Sequence, residues 1–475
     1  MSRPSSSPAS PVDAPTPIGP PSALVAVLAA AGIVVSLQQT VVVPLVPLFP
    51  SLLGADPADT AWIVTATLLA GAVAVPVVGR FADMVGKRRM LLVCLGVLVT
   101  GSVVAALSTS LVPLVVGRAL QGLAAGVVPL GISLMRDLLP AERVGSATAT
   151  MSASLGVGGA LGLPASALVV QVADWHALFW AAAVLGAAVI ALVVLLVPES
   201  PQRTGGRFDL PGALLLAVAL VGLLLAVSKG GDWGWASPLT LSLLAVAAVA
   251  LAGFGLRELR TPDPLIDLRV SRRRPLLLTN TASAVFGFSM FAMSLVFPQL
   301  LQLPEETGYG LGQSILVAGL VLAPGGLCMM AMSPVSARIS ARYGPRTTLM
   351  AGAVVVAAGY GLGAAFHAAV WQLLVSSVVI SAGIGLAYGA MPALVMAAVP
   401  VTQTAAANSL NNLMRAIGLS TAGAVAGVLL ARMTTAGPGG SVVPSEAAFS
   451  LVMLLGAGSA LVAMAVTAAI PRTRP

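Results

Sequence analysis

The chain has 475 residues, of which 58% are hydrophobic and only 8% charged, with 24 Lys and Arg against 16 Asp and Glu for a formal net charge of +8. So much apolar surface exceeds what a water-soluble domain can bury, and the solvent for most of the chain is lipid. The apolar runs are continuous and rich in Ala, Leu, Gly and Val rather than alternating, which excludes a β-barrel, and a positive-inside bias accounts for the excess of bases without nucleic acid.

Residues 1–22 are mostly Pro, Ser and Ala and read as a disordered tail. Apolar runs follow at 23–48, 60–79, 89–108, 112–136, 146–170 and 177–197, then at 210–228 and 238–256. After a basic segment, six more lie at 275–300, 312–335, 347–366, 370–396, 405–430 and 447–470. At about 20 residues per crossing these predict fourteen membrane helices. The first run is too long for a signal-peptide core and reads as an uncleaved helix. Cys94 and Cys328 both fall inside apolar runs, so no disulfide framework is expected.

An even number of crossings puts both termini on one side. Under that topology 20 of the 24 bases lie on the side of the termini, only Lys229 and Arg432 lie opposite, and Arg118 and Arg415 fall within helices. Both termini are therefore expected in the cytoplasm, in a multi-pass protein of the cell membrane. The expected organisation is a tail over 1–22, a six-helix bundle over 23–200, two additional helices with a basic linker over 201–274, and a second six-helix bundle over 275–475.

Charge is dense in Gly79 to Met90, GRFADMVGKRRM. Such a cluster must meet water, so it marks a hairpin between two membrane helices. Gly79 and Gly86 allow tight backbone, and Asp83 sits among Arg80, Lys87, Arg88 and Arg89. The pattern recurs as ARISARYGPR over Ala337 to Arg346, with Arg338 over Arg80, Gly344 over Gly86 and Arg346 over Arg88, but with Ala341 over Asp83. Farther on, Pro400 lies over Pro140 and Gly418 over Gly158. Two related halves with a helix pair inserted between them explain the repeat.

These motifs resemble the major facilitator superfamily and, within it, the branch of 14-helix drug:proton antiporters. GRFADMVGKRRM is similar to the family's loop signature GxLaDrxGrk at Gly79, Asp83, Gly86, Lys87 and Arg88. GRALQG at Gly117 to Gly122 resembles the RxxQG signature of the fourth helix, and PDPLIDLRVSRRRP resembles the linker of that branch. The resemblance implies a conformational latch at Gly79, Arg80, Asp83, Gly86, Lys87 and Arg88. In it the Asp83 carboxylate meets neighbouring bases and the positive end of a helix in the other half, starting near Ala405. It implies a coupling role for Arg118, with Gln121 and Gly122 on the same helix face.

LGVGGALGLPASALVV resembles the fifth-helix antiporter motif GxxxGPxxGG at Gly158, Gly162 and Pro164. Leu163 stands where the family has Gly, and Ser166 and Ala167 replace the paired glycines. Helix packing is the other reading of these residues. LQQTVVVPLVPLFP resembles LDxTIVNVALP, with Gln38 in the place of the family's membrane acid and Val43 in that of Asn. Gln38, Gln39 and Thr40 can hydrogen-bond a substrate but do not titrate, and they read either as cavity lining or as interhelical contacts.

Asn408, Asn411, Asn412 and Arg415 follow one helix face at i, i+3, i+4 and i+7. This polar stripe is expected to line a central path, or else to form a buried interhelical network, and Arg415 is available to an anionic group. Pro324, Gly325 and Gly326 are expected to loosen the tenth helix. No nucleotide-binding GxxxxGK[ST] loop occurs, and two distant His residues with no clustered base do not make a hydrolase.

The expectation is an all-α integral membrane protein of the major facilitator fold, and not an enzyme. It would be a secondary transporter exporting amphipathic drug-like or antibiotic molecules in exchange for protons by alternating access. An uncoupled facilitator, or a specific exporter of a neutral metabolite, is the alternative. The expected partners are the lipid bilayer, a small amphipathic substrate and protons, with no nucleic acid, no cofactor and no metal, and the chain is expected to be a monomer.

Overall fold

The computed structural model describes residues 21–471, apart from 43, 44, 46, 47, 61, 204, 401, 402 and 439–441. Almost all of the tail expected over 1–22, with Arg3, and the positions of Val43, Arg472 and Arg474 lie outside the described residues.

Fourteen helices among these residues are long and apolar enough to cross a membrane. The first half holds α1 (Pro21–Thr40), α2 (Trp62–Val85), α3 (Lys87–Ala106), α4 (Leu111–Leu138), α5 (Ala141–Val172) and α6 (His176–Leu196). Then come α7 (Leu210–Trp233) and α8 (Pro238–Glu258). The second half holds α9 (Arg274–Gln302), α10 (Ile315–Tyr343), α11 (Pro345–Ala365), α12 (Val370–Ala398), α13 (Thr404–Arg432) and α14 (Glu446–Ala468). Helices are the outcome because in lipid each backbone N–H and C=O must find its partner within the segment.

Each half has its own core. In the first, α1 lies on α5, α2 on α4, and α3 between α4 and α6, around Leu28, Leu95, Leu98, Leu130 and Val193. In the second, α9 lies on α13 and α14, and α11 on α12 and α14, around Phe286, Phe297, Tyr360, Ile380 and Phe449. The halves meet along α2 with α13 and along α5 with α10 and α12. The inserted α7 packs on both α2 and α13, so it straddles one of these seams, and Leu216, Leu220, Leu265, Ile266 and Leu413 form one cluster there. Exposed side chains such as Leu239, Leu241, Val249 and Leu251 on α8 make the apolar outer surface that lipid requires.

The two related loops share their geometry. Gly86 and Gly344 both have positive φ, 126° and 85°, just before the next helix. Arg88 donates to the Val194 carbonyl near the end of α6, and Arg346 donates to the Thr467 and Ala468 carbonyls at the end of α14. In both halves an arginine donates to carbonyls in the last turn of a helix, where the dipole favours a cation.

Five features differ from the sequence expectation. Helix α2 runs through Gly79 to Val85 rather than ending at 79, so the turn to α3 is made at Gly86. Helix α1 ends at Thr40 rather than running to 48, consistent with the approach of Pro44, since a residue before proline disfavours helical backbone. Helix α4 is interrupted by a 3₁₀ turn at Ala124–Gly126. Helix α10 runs unbroken through Pro324, Gly325 and Gly326, and its break falls at Met332. Gly325 and Gly326 are pressed against α12 and α5, and this packing holds the helix across the proline. Between α13 and α14, Thr434–Ala436 pairs antiparallel with Val442–Pro444 in a small hairpin.

Candidate functional site

The Asp83 side chain is 1% exposed near the end of α2. Its two oxygens accept the amide N–H groups of Ala405, at 3.4 Å, and of Ala406, at 3.0 Å. Both amides belong to the first turn of α13, where N–H groups have no partner within the helix and the dipole favours an anion. Gly79 faces the same turn: a Cβ there would lie 2.7 Å from the Ser409 Cβ and 3.0 Å from the Ala405 carbonyl oxygen. Glycine at 79 lets the two helices approach far enough for Asp83 to reach.

Lys87, fully buried at the start of α3, lies 3.9 Å from Asp83 and 2.6 Å from Asp137 at the end of α4. Ser200 also donates to Asp137. A lysine at a helix N-terminus opposes the dipole, and two carboxylates offset that. Glu199 accepts the Arg88 backbone N–H at 3.0 Å and crowds Gly86, where a Cβ would come within 2.9 Å of its carboxylate. Arg80 reaches Asp263 of the linker at 3.9 Å, and beside it Phe81 stacks on Phe208 at 4.1 Å. Arg136 adds a bond between the halves, donating to Thr404 Oγ1 at 2.9 Å. A cavity of about 300 Å³ opens next to these groups, lined in part by Arg80, Asp83, Asp263, Asp267 and Gln403.

Arg118 is 1% exposed in α4. It donates to the Ile63 carbonyl at 3.2 Å, the Gln38 carbonyl at 2.9 Å and Gln121 Oε1 at 2.8 Å, and Gln121 in turn donates to Ser102. Thr67 donates to the Arg118 carbonyl, and Gly122 lets α4 close on α2, since a Cβ there would lie 3.0 Å from the Ala70 Cβ. The network ties α1, α2, α3 and α4 together with neutral acceptors.

Gln38 is 1% exposed, and neither atom of its side-chain amide has a partner among the described residues. Gln39 is exposed, and Thr40 turns to α5, donating to the Leu37 carbonyl at 3.1 Å and the Gly158 carbonyl at 3.4 Å. The three residues therefore share no common surface. Gly158 and Gly162 meet α1, with a Cβ at Gly158 2.5 Å from the Ile33 oxygen and one at Gly162 2.9 Å from the Thr40 Cβ. These glycines serve packing within the first half. Gly156, which the sequence reading did not single out, is the α5 residue whose backbone faces Gly326 across the seam.

The stripe on α13 divides. Asn408 is buried and bonds the Thr404 carbonyl, while Asn411 donates to Asn280 at 3.0 Å and to Ser283 at 2.7 Å on α9. Asn412 and Arg415 are half-buried and bonded to each other, and the Arg415 guanidinium lies 4.6 Å from the centre of the Tyr388 ring. They line a cavity of about 20 Å³ between the halves, which also touches Ile132 and Ser152 of the first half. Among the described residues, no carboxylate lies within ion-pair distance of Arg118 or Arg415. Every described Asp and Glu lies in a connection or close to a helix end.

The sequence profile of the Major Facilitator Superfamily matches residues 28–423 and, again, 282–475. The chain belongs to this superfamily. It is 31% identical over 402 residues to the tetracenomycin C resistance and export protein of Streptomyces glaucescens, covering 84% of this chain and 73% of that one. It is 29% identical over 378 residues to the multidrug resistance protein Stp of Mycobacterium tuberculosis (strain ATCC 25618 / H37Rv), covering 79% and 69%. It is also 29% identical over 399 residues to the putative multidrug resistance protein MdtD of Escherichia coli O9:H4 (strain HS), covering 83% of each. Among solved structures, the human organic anion transporter MFSD10 aligns with a TM-score of 0.65 over 94% of this chain and 100% of its own. At 16% identity that likeness concerns the fold alone. The chain is thus a transporter of the major facilitator fold with relatives named for multidrug resistance and antibiotic export.

Proposed function

We propose that this chain exports amphipathic drug-like or antibiotic molecules across the cell membrane by alternating access, in exchange for protons, with both termini in the cytoplasm. The observation that carries the reading is the Asp83 carboxylate on the first turn of α13, a charged contact between the halves at the basic ends of the helices. Arg136 with Thr404, and Thr150 with Ser333, add bonds between the halves from the same side. With those bonds made, the basic side is closed; rocking the halves open there requires that Asp83 give up its amides. The names of the curated relatives support export as the direction, and the distribution of bases supports the orientation.

A second reading, export without proton exchange, is favoured by Gln38, which cannot titrate, and by the position of the described acids at helix ends. One experiment separates the two. Purified protein in liposomes with a trapped pH dye, the membrane potential clamped, is given labelled amphiphiles in turn. Proton movement that accompanies a compound, and is lost in Asp83→Asn, supports antiport; compound flux with a silent dye supports the second reading, and no flux of any compound sinks both.

A further inference from the structure

We infer that the substrate is an anionic amphiphile whose carboxylate pairs with Arg415 when rocking of the halves widens the cavity of about 20 Å³ between them. The inference deepens the export reading and rests on it. Among the described residues two cations, Arg118 and Arg415, lie well inside membrane helices and away from both helix ends, and their surroundings differ. Arg118 spends its donors on the Ile63 and Gln38 carbonyls and on Gln121, so its charge is dispersed over neutral acceptors inside the first half.

Arg415 is held but not satisfied. One face of its guanidinium lies on Tyr388, Nη2 bonds Asn412 on its own helix, and Nε and Nη1 make no hydrogen bond among the described residues. It is half-buried and opens on the space where Ser152 of α5 faces α12 and α13. An arginine at membrane depth without a counter-charge is costly, and a planar fork with free donors matches the charge and shape of a carboxylate. Asn411, oriented by Asn280 and Ser283, and Ser152 supply neutral polar groups beside it, while Met391 and Ile132 supply apolar wall. A cationic substrate would meet the Arg415 charge with no described carboxylate near enough to offset it. An anion leaving the cytoplasm also moves in the direction that an inside-negative potential favours.

The test compares three probes of one skeleton, 1-naphthylacetate, 1-naphthylacetamide and 2-(1-naphthyl)ethylammonium, binding to the full-length protein in nanodiscs. The acetate is expected to bind about tenfold tighter than the amide, the loss of one charge-assisted pair, and the ammonium weakest. Arg415→Gln removes that preference by weakening the acetate far more than the amide, and Arg415→Lys retains part of it. Should Arg415→Gln fail to fold, the lysine variant and the order of the three probes on the native protein still decide. Equal or tighter binding of the ammonium, equal weakening of acetate and amide in the Arg415 variants, or binding of none of the three overturns the inference. Flux in everted vesicles separates it from the export reading. Acetate that binds but never crosses removes export and leaves the site, whereas ammonium that crosses while acetate does not removes the site and leaves export.

Discussion

The Asp83 carboxylate accepts the amide N–H of Ala406 at 3.0 Å across 323 residues of chain. The contact joins the last turn of α2 to the first turn of α13, and it is among the charged contacts that cross between the halves. A hydrogen bond to a charged group contributes about 1.5–3 kcal/mol. Asp83→Asn should therefore shift the balance toward the state open on the basic side by about tenfold or more. The measurement is the labelling rate of Ser409→Cys, behind Gly79 in the seam, with Cys94 and Cys328 replaced and a membrane-impermeant reagent applied from the basic side. An unchanged rate would remove Asp83 from the gate.

Lys87 and Asp137 form a buried pair at 2.6 Å with neither side chain exposed. Removing one member strands a charge, at a cost of about 3–5 kcal/mol. Lys87→Met is expected to lower the thermal unfolding midpoint in detergent markedly, because it strands both Asp83 and Asp137. The double variant Lys87→Met/Asp137→Leu should recover part of the loss. A single variant as stable as the parent would show that water already reaches the pair.

Gly326 lies against Gly156 and Ala160 across the seam between the halves, whereas among the described residues nothing lies within 4 Å of a Cβ placed on Gly427. Gly326→Ala should push α10 off α5 and reduce transport several-fold at unchanged expression. Gly427→Ala, also in a helix interior, should leave transport intact. Transport assays on both variants check this, and equal effects would reduce Gly326 to a generic helix residue.

The linker is tied down by several contacts of unequal weight. Glu258 accepts the Leu265 and Ile266 amides, at 3.2 Å and 3.3 Å, and Phe81 stacks on Phe208, whereas Arg80 meets a half-exposed Asp263 at 3.9 Å. Pairs of that exposed kind contribute about 0–1 kcal/mol. Limited trypsin digestion at the exposed Arg269 and Arg272 should accelerate in Phe208→Ala and Glu258→Gln and stay at the parent rate in Asp263→Asn. The opposite order would place the hold on the linker in the ion pair.

Much of the fold was legible because lipid leaves so few options. Fourteen apolar runs of spanning length and a charge-dense loop recurring as ARISARYGPR predicted helices, parity and repeat from composition and spacing alone. Tertiary contacts overrode local cues at particular places. Pro324 to Gly326 pointed to a loosened helix, and α10 runs unbroken there with the glycines fitted against α5 and α12. Gly156 is one glycine among several in α5, and spacing gave no reason to prefer it to Gly158. Arg136 looked like one more topogenic base and bonds Thr404 across the seam.

The sequence by itself determined that this protein lives in lipid and is helical throughout its spans. It also determined that its halves are related, that it resembles drug exporters, and that two arginines enter the membrane with no acid nearby in the chain. These follow from local chemistry, since hydropathy, charge and spacing act over a few turns. Only the tertiary structure decided that Arg118 is spent on carbonyls while Arg415 keeps free donors toward the space between the halves, and that Gln38, Gln39 and Thr40 face three different ways. Those outcomes depend on which helices meet and at what depth, and close packing between segments hundreds of residues apart leaves no trace in the local pattern of either one.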